Sequence, residues 1–172
     1  MKKNLFYSLM ALSIVVSSCS STQKVSLKET SKTPFVWEGA NLYFLMTDRF
    51  NNGDTASDIN FGRNKATGKL RGFEGGDIKG IIQKIDDGYF EQLGINAIWM
   101  TPIVEQIHDG VDEGTGFSYG FHGYWTRDWS TLDPNYGTKK DLAELVEKAH
   151  AKGIRIMLDA VINHTGPVTA ED

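Results

Sequence analysis

The chain has 172 residues, of which 40% are hydrophobic and 23% are charged, a composition typical of a folded globular protein. Its formal net charge of −4 at pH 7 argues against a nucleic acid as its partner, because phosphate binding needs a basic surface. The chain contains one cysteine, so no disulfide can form within it.

The N-terminus has the pattern of a bacterial lipoprotein signal. Lys2 and Lys3 are followed by an apolar segment at 5–16, which is too short to span a bilayer. Small residues then precede Cys19, where cleavage would leave a cysteine that can be lipidated. The alternative is an ordinary secretory signal in which this cysteine is incidental. We therefore expect a signal peptide at 1–18 and a membrane anchor at Cys19, in the periplasm or at the outer membrane of a bacterial cell envelope.

The segment 19–36 is predicted to be a flexible tether, because it is rich in Ser, Thr and Lys and has no hydrophobic period. The folded domain is predicted to span 37–172 and to begin with a buried strand at 41–46, an apolar run without polar alternation.

Further apolar patterns predict a helix at 79–93, a strand at 95–100, a helix at 138–152 and a strand at 154–159. Strands that alternate with helices indicate an α/β fold with a parallel sheet. A Rossmann-type sheet is the alternative, but the dinucleotide-binding fingerprint is missing.

Two long segments, at 51–76 and 101–136, are predicted to be loops, and both follow the carboxyl ends of strands. A (β/α)8 barrel builds its active site from such loops. Because that barrel typically needs about 250 residues, we expect an incomplete TIM barrel with about its first three strands and two helices.

Polar side chains follow the third strand. Asp159, Asn163 and His164 present a carboxylate, an amide and an imidazole at the open end of the predicted sheet. An amide oxygen suits Ca²⁺, and an imidazole can bind a sugar hydroxyl. The alternative is that Asp159 and Asn163 cap a helix and that His164 is incidental.

The loop at 119–125 concentrates aromatic residues, among them Tyr124 and Trp125, around His122. Flat apolar faces of sugars stack on such rings. The alternative is local packing that holds the loop down.

A run of oxygen-bearing side chains surrounds a glycine turn at 51–58. Asn52, Asp54 and Asp58 could converge on a hard cation together with Asp77. The run is not an EF-hand, because no Glu occupies the twelfth position. The alternative is a solvated acidic turn.

The chain also lacks the His-Glu-x-x-His spacing of zinc peptidases and the Gly-x-Ser-x-Gly elbow of serine hydrolases.

Together these segments resemble the α-amylase family, glycoside hydrolase family 13, across residues 40–170. The resembling motifs are 42–54, Gly80–Tyr89, Glu105–His108, His122–Trp125, Ala149–Gly153 and Asp159–His164. They are most similar to the motifs of periplasmic α-amylases and cyclodextrin glucanotransferases.

The resemblance implies roles for the residues around the third strand. Asn163 would be a ligand of a structural Ca²⁺, and Tyr124 and His164 would line the subsite on the non-reducing side of the cut. Tyr124 would stack on the sugar, and Asp159 would order the floor of the site. Trp125 would pack rather than contact the sugar, and His122 could do either.

The resemblance also implies a second Ca²⁺ site of the glucanotransferase type. Its ligands would be Asn52, Asp54, Asp58, the Gly75 carbonyl and Asp77. Here Asn52 stands where the family commonly has Asp, and Ser57 stands where Asn is usual.

The α-amylase family is retaining and needs two carboxylates about 5–5.5 Å apart. By resemblance, these and a further Asp lie beyond Asp172, so the fragment itself is expected to be inactive. The expected full protein is a secreted, lipid-anchored α-amylase that hydrolyses α-1,4-glucosidic bonds of starch and maltodextrins. The alternatives are a glucanotransferase of the same family, and a non-catalytic glucan-binding lipoprotein or inactive truncation product.

Overall fold

The computed structural model describes residues 34–172. The predicted signal peptide at 1–18, Cys19 and the tether as far as residue 33 lie outside the described residues. Within the described part, no helix is long and apolar enough to cross a bilayer.

Three short strands form a parallel sheet in the order β1–β2–β7. Strand β1 spans Leu42–Leu45, β2 spans Ala97–Met100 and β7 spans Arg155–Leu158. The apolar runs in the sequence predicted all three, and the structure confirms them as strands. The prediction that β1 is buried was wrong for one of its faces, because Leu42 and Phe44 are 45% and 50% exposed.

Two amphipathic helices cover one face of this sheet. Helix α2 spans Ile78–Asp86 and α4 spans Lys139–Ala151. Their apolar stripes join the strands in one buried core, which includes Ile81 and Ile85 of α2, Leu145 and Ala149 of α4, and Ile98 of β2. The helical periodicity therefore predicted the faces that pack against the sheet.

The caps of the two helices follow from their sequences. The Asp77 carboxylate accepts the Gly80 N–H at 2.6 Å and begins α2. Thr138 and Asp141 form a reciprocal capping box that begins α4. Gly153 follows α4 with a φ of +75°, a left-handed conformation that suits glycine at a helix end.

The prediction of one helix at 79–93 was wrong. Helix α2 ends at Asp86, and a separate turn of helix, α3 at Tyr89–Gln92, follows Gly88. Gly88 has a φ of +75°, which breaks the helix although the apolar positions keep their helical spacing.

The predicted loops contain secondary structure. Strands β3 (Val104–Gln106) and β6 (Thr126–Leu132) pair antiparallel with two register shifts, and β4 (Val111–Asp112) pairs with β5 (Phe117–Ser118). Helix α1 (Thr47–Phe50) and two 3-10 turns, Trp37–Gly39 and Thr55–Ser57, were also not predicted. Strand β6 is largely exposed and has no apolar alternation, so its sequence carries no strand pattern.

A buried ion pair joins the two long segments. The Arg63 guanidinium donates to both carboxylate oxygens of Asp133, at 2.9 and 2.8 Å, and both side chains are almost completely buried. Arg63 also donates to Asn135 Oδ1 at 2.6 Å and to the carbonyls of Gln106 and Ile107 at 2.9 and 3.0 Å. These five hydrogen bonds offset the cost of removing a guanidinium from water.

We expect Arg63→Met to lower the free energy of unfolding of the full-length protein by about 3–5 kcal/mol, because it leaves the Asp133 carboxylate buried without its cation. Urea unfolding measures this. Lys65→Met is the matched control: Lys65 pairs with Asp109 at the surface, so its loss should change the urea midpoint little. Equal effects of the two substitutions would contradict a special role for the buried pair.

Candidate functional site

The side chains predicted to bind a sugar lie together. Asp159 follows the carboxyl end of β7, and Tyr124 lies in the turn before β6. The Tyr124 hydroxyl donates to Asp159 Oδ2 at 3.0 Å, and His164 Nε2 donates to the Tyr124 carbonyl at 3.1 Å. These two hydrogen bonds bring Asp159 and His164, which follow Tyr124 by 35 and 40 residues, next to it.

The backbone of Tyr124 is also fixed on its amino side. The Tyr124 N–H donates to His122 Nδ1 at 2.9 Å, and the following N–H, of Trp125, donates to Gln106 Oε1 at 2.7 Å. Burial and the hydrogen bond to Asp159 raise the pKa of the Tyr124 hydroxyl, which keeps it a donor. The ring is therefore held in place before any ligand binds.

His122 serves as an acceptor and as a packing surface. Its ring lies nearly parallel to that of Tyr124, with centroids 5.8 Å apart, and contacts Trp125 edge-on at 5.0 Å. Burial lowers the pKa of His122 below 6.5, and nearby Arg49 contributes. A neutral ring is what the Nδ1 acceptor requires, with the ring proton on Nε2.

Asn163 and His164 have exposed side chains and lie in the segment that follows β7. The Asn163 Nδ2 and His164 Nδ1 lie 3.3 Å apart. Because His164 donates from Nε2, its Nδ1 accepts in the neutral ring and Asn163 donates from Nδ2. The Asn163 Oδ1 is then the side-chain atom that can coordinate a cation.

The predicted cation loop brings three groups together. The Asn52 amide donates to Asp58 Oδ1 at 2.8 Å, and Gly75 lies against both. A Cβ at Gly75 would lie 2.3 Å from Asn52 Nδ2 and 2.6 Å from Asp58 Oδ1, and its φ of +89° also favours glycine. The structure therefore brings Asn52, Asp58 and Gly75 together, with the nitrogen of the Asn52 amide facing Asp58; the amide would have to turn its oxygen inward to coordinate a cation.

Asp77 and Asp54 are engaged elsewhere in the same loop. The buried Asp77 carboxylate accepts the N–H groups of Gly53 and Asp54 at 3.1 and 2.8 Å, besides capping α2. The Asp54 carboxylate pairs with Lys79 at 2.5 Å, and this contact lowers its pKa. Within residues 34–172, no three carboxylate, imidazole or thiol side chains converge on a metal position.

A second buried carboxylate lies beneath the loop. Asp48 accepts the N–H of Glu74 at 3.0 Å and that of Gly75 at 3.3 Å, and forms an ion pair with Arg49 at 2.6 Å. Burial raises the pKa of Asp48 to about 6 against the opposing effect of these partners. Asp48 therefore fixes the backbone on which the Gly75 carbonyl is presented.

The sequence assigned no role to Arg63, to Trp129 or to Gln106, although Gln106 lies within the motif Glu105–His108. Trp129 donates its indole N–H to the Val161 carbonyl at 2.6 Å and ties β6 to the segment after β7. Each acts through a contact over 19 to 70 residues, and no local pattern signals such a contact.

Comparison with known proteins gives a consistent result. The model of the family described as "Alpha amylase, catalytic domain" matches residues 44–171. The chain is 46% identical over 146 residues to the periplasmic α-amylase of Escherichia coli (strain K12), covering 83% of this chain and 21% of that protein. It is 38% identical over 153 residues to a cyclomaltodextrin glucanotransferase of Geobacillus stearothermophilus, covering 87% of this chain and 21% of that protein.

Among solved structures, the chain is similar to an α-amylase from Geobacillus thermoleovorans complexed with acarbose. The TM-score is 0.58 and the identity is 37%, and the match covers 77% of this chain and 25% of that one. The chain spans about a fifth of the length of the two curated relatives named above.

Because the pKa of His122 is lowered in the folded protein, the free energy of unfolding should depend on pH. Since the unfolded chain binds the proton more readily than the folded one, the stability that His122 contributes is present above pH 6.5 and is lost as pH falls toward the folded pKa. We expect His122→Asn, whose Oδ1 can accept the Tyr124 N–H without titrating, to reduce this loss. Urea unfolding of the full-length protein between pH 5 and pH 8 measures it, and parallel curves for the two proteins would contradict it.

Proposed function

Because the chain belongs to the α-amylase family, glycoside hydrolase family 13, we propose that it forms the first part of a catalytic barrel that hydrolyses α-1,4-glucosidic bonds of starch and maltodextrins. The observation that carries the proposal is the position of Tyr124. Its ring is anchored at the hydroxyl and at the backbone, at the carboxyl end of a barrel strand. Such a rigid aromatic face suits stacking with a glucose ring.

The neighbours of Tyr124 complete a sugar subsite in this proposal. His164 is exposed beside the ring and can bind a sugar hydroxyl, while Asp159 orders the floor through Tyr124. His122 and Trp125 support the ring from behind. The acarbose complex of the G. thermoleovorans α-amylase supports an α-glucan as the ligand class.

The proposed chemistry is retaining hydrolysis through two carboxylates about 5–5.5 Å apart. Asp159 is not one of them in this proposal: by resemblance it belongs to the motif Asp159–His164, which orders the floor of the site, and the catalytic motifs come later. We propose that both carboxylates and the third Asp come from the remainder of the protein. The 172-residue chain alone should then release no reducing sugar from starch.

The first test is starch hydrolysis by the full-length protein. Tyr124→Ala should lower kcat/KM by about tenfold, because an aromatic contact contributes about 0.5–1.5 kcal/mol beyond burial. Tyr89→Ala is the matched control, since Tyr89 lies on α3, outside the proposed sugar site, and should leave kcat/KM unchanged. Equal activity of the Tyr124→Ala variant and the wild type would remove the main support for the sugar subsite.

A glucanotransferase is the second candidate, supported by the similarity to the enzyme of G. stearothermophilus. Product analysis distinguishes the two: hydrolysis releases linear maltooligosaccharides, whereas transfer within one chain releases cyclic products. If neither linear nor cyclic products form, a non-catalytic glucan-binding protein is favoured.

We further propose two Ca²⁺ sites. Asn163 would supply its Oδ1 to one, with the remaining ligands from elsewhere in the protein. Asn52, Asp58 and the Gly75 carbonyl would hold the second, with Asp77 shaping the loop and Asp54 joining only if it leaves Lys79. Each ion would stabilise the loops of the cleft.

The calcium proposal predicts that Ca²⁺ raises the Tm of the full-length protein. Saturation at about 100 times the Kd corresponds to about 2.7 kcal/mol. Asn163→Ala and Asp58→Asn should each remove part of this increase, because the first deletes a ligand oxygen and the second removes the negative charge of a ligand. Calorimetry with Ca²⁺ or a chelator measures it, and an undiminished increase in both variants would refute the assignments.

We also propose that Cys19 carries a lipid that anchors the protein in a bacterial cell envelope, at the outer membrane or in the periplasm. The periplasmic relative from E. coli supports an envelope location.

A further inference from the structure

Gln106 is a completely buried glutamine at the end of β3. Its side chain uses both ends of the amide: Oε1 accepts the Trp125 N–H at 2.7 Å, and Nε2 donates to the Val104 carbonyl at 2.8 Å. The donor to Val104 fixes which end of the amide faces Trp125.

The backbone of Gln106 is held just as firmly. Its N–H donates to Asp133 Oδ2 at 3.0 Å, and its carbonyl accepts from Arg63 at 2.9 Å. Both partners belong to the buried ion pair. The Gln106 side chain therefore projects from a fixed support toward the Tyr124–Trp125 peptide.

That peptide is held from both sides. Its N–H is bound by Gln106 Oε1, and its carbonyl, which belongs to Tyr124, is bound by His164 Nε2 at 3.1 Å. Gly120 allows the approach: a Cβ there would lie 3.1 Å from the Gln106 Cβ and 3.3 Å from the Trp125 Cβ.

We propose that Gln106 is a positioning residue for glucan binding, whose buried amide sets the plane of the Tyr124–Trp125 peptide and so the orientation of the Tyr124 ring. The inference rests on the proposed function, in which Tyr124 stacks on the sugar. Because Gln106 bonds the peptide and not the ring, it acts before ligand arrives and touches no ligand. Loss of its acceptor leaves the peptide N–H without a partner and frees the plane to rotate.

Two substitutions at this position distinguish the effect of the Oε1 acceptor from the effect of side-chain size. Gln106→Met has a similar length and no acceptor for the Trp125 N–H. Gln106→Glu keeps an oxygen at the position of Oε1, and because the site is completely buried its carboxyl stays protonated and can still donate to the Val104 carbonyl. Ile85→Val is the control for stability, because it removes a methyl group from the core away from Tyr124.

The readouts are the Kd of acarbose by calorimetry and the hydrogen exchange of the Trp125 amide, both in the full-length protein. In Gln106→Met we expect the Kd to rise and the amide exchange to accelerate, each by about tenfold, as for the loss of one buried hydrogen bond. KM should rise with the Kd, and kcat should change less. Gln106→Glu and Ile85→Val should stay close to the wild type in both readouts.

A folded Gln106→Met variant with wild-type acarbose affinity would overturn the proposal, as would equal weakening in Gln106→Glu with a protected Trp125 amide. Weakening by Ile85→Val to the same extent would assign the effect to stability and also overturn it. A wild-type protein that neither binds acarbose nor cleaves starch would instead refute the proposed function, and the positioning role would fall with it.

Discussion

The hydrogen bonds of Arg63 with Asp133 join the two long segments that follow strands β1 and β2. The two residues lie 70 positions apart, in loops that follow different strands. A buried guanidinium is tolerated only when its N–H groups have acceptors. The four N–H groups on Nη1 and Nη2 of Arg63 donate to Asp133, to Asn135 and to two backbone carbonyls. Among the described residues its Nε is one of two buried side-chain atoms without a partner. The pair therefore fixes the position of one long segment relative to the other.

A series of hydrogen bonds connects that ion pair to the residue that carries the Tyr124 ring. Asp133 binds the backbone of Gln106, Gln106 binds the N–H of Trp125, and the same peptide carries the carbonyl of Tyr124. The sheet supplies the other side through Asp159. A single aromatic residue is thus held between the loop segments and a strand of the sheet, and such preorganisation would favour the sugar stacking that we propose for Tyr124.

The sequence predicted the parts of the fold that depend on burial and missed those that depend on pairing. Residues 41–46 and 154–159 were predicted to be strands because each contains a short apolar run, and α4 was predicted to be a helix because Thr138 and Gly153 bound its apolar stripe. Strand β6 is largely exposed and is held by its bonds to β3, so its residues show no period. At the site, motif resemblance predicted Tyr124, Asp159 and His164, which the structure brings together. The motif Glu105–His108 includes Gln106 but assigned it no role, because its partner lies 19 residues away.

The Asp77 carboxylate has a consequence for how this region opens. It accepts N–H groups from the loop at Gly53 and Asp54 and from the first turn of α2 at Gly80. Opening the loop therefore deprives the helix of its N-cap, and fraying of the helix releases the loop. The two elements form one cooperative unit of local unfolding, so an event at the loop is communicated to the start of α2 without any contact between a ligand and the helix.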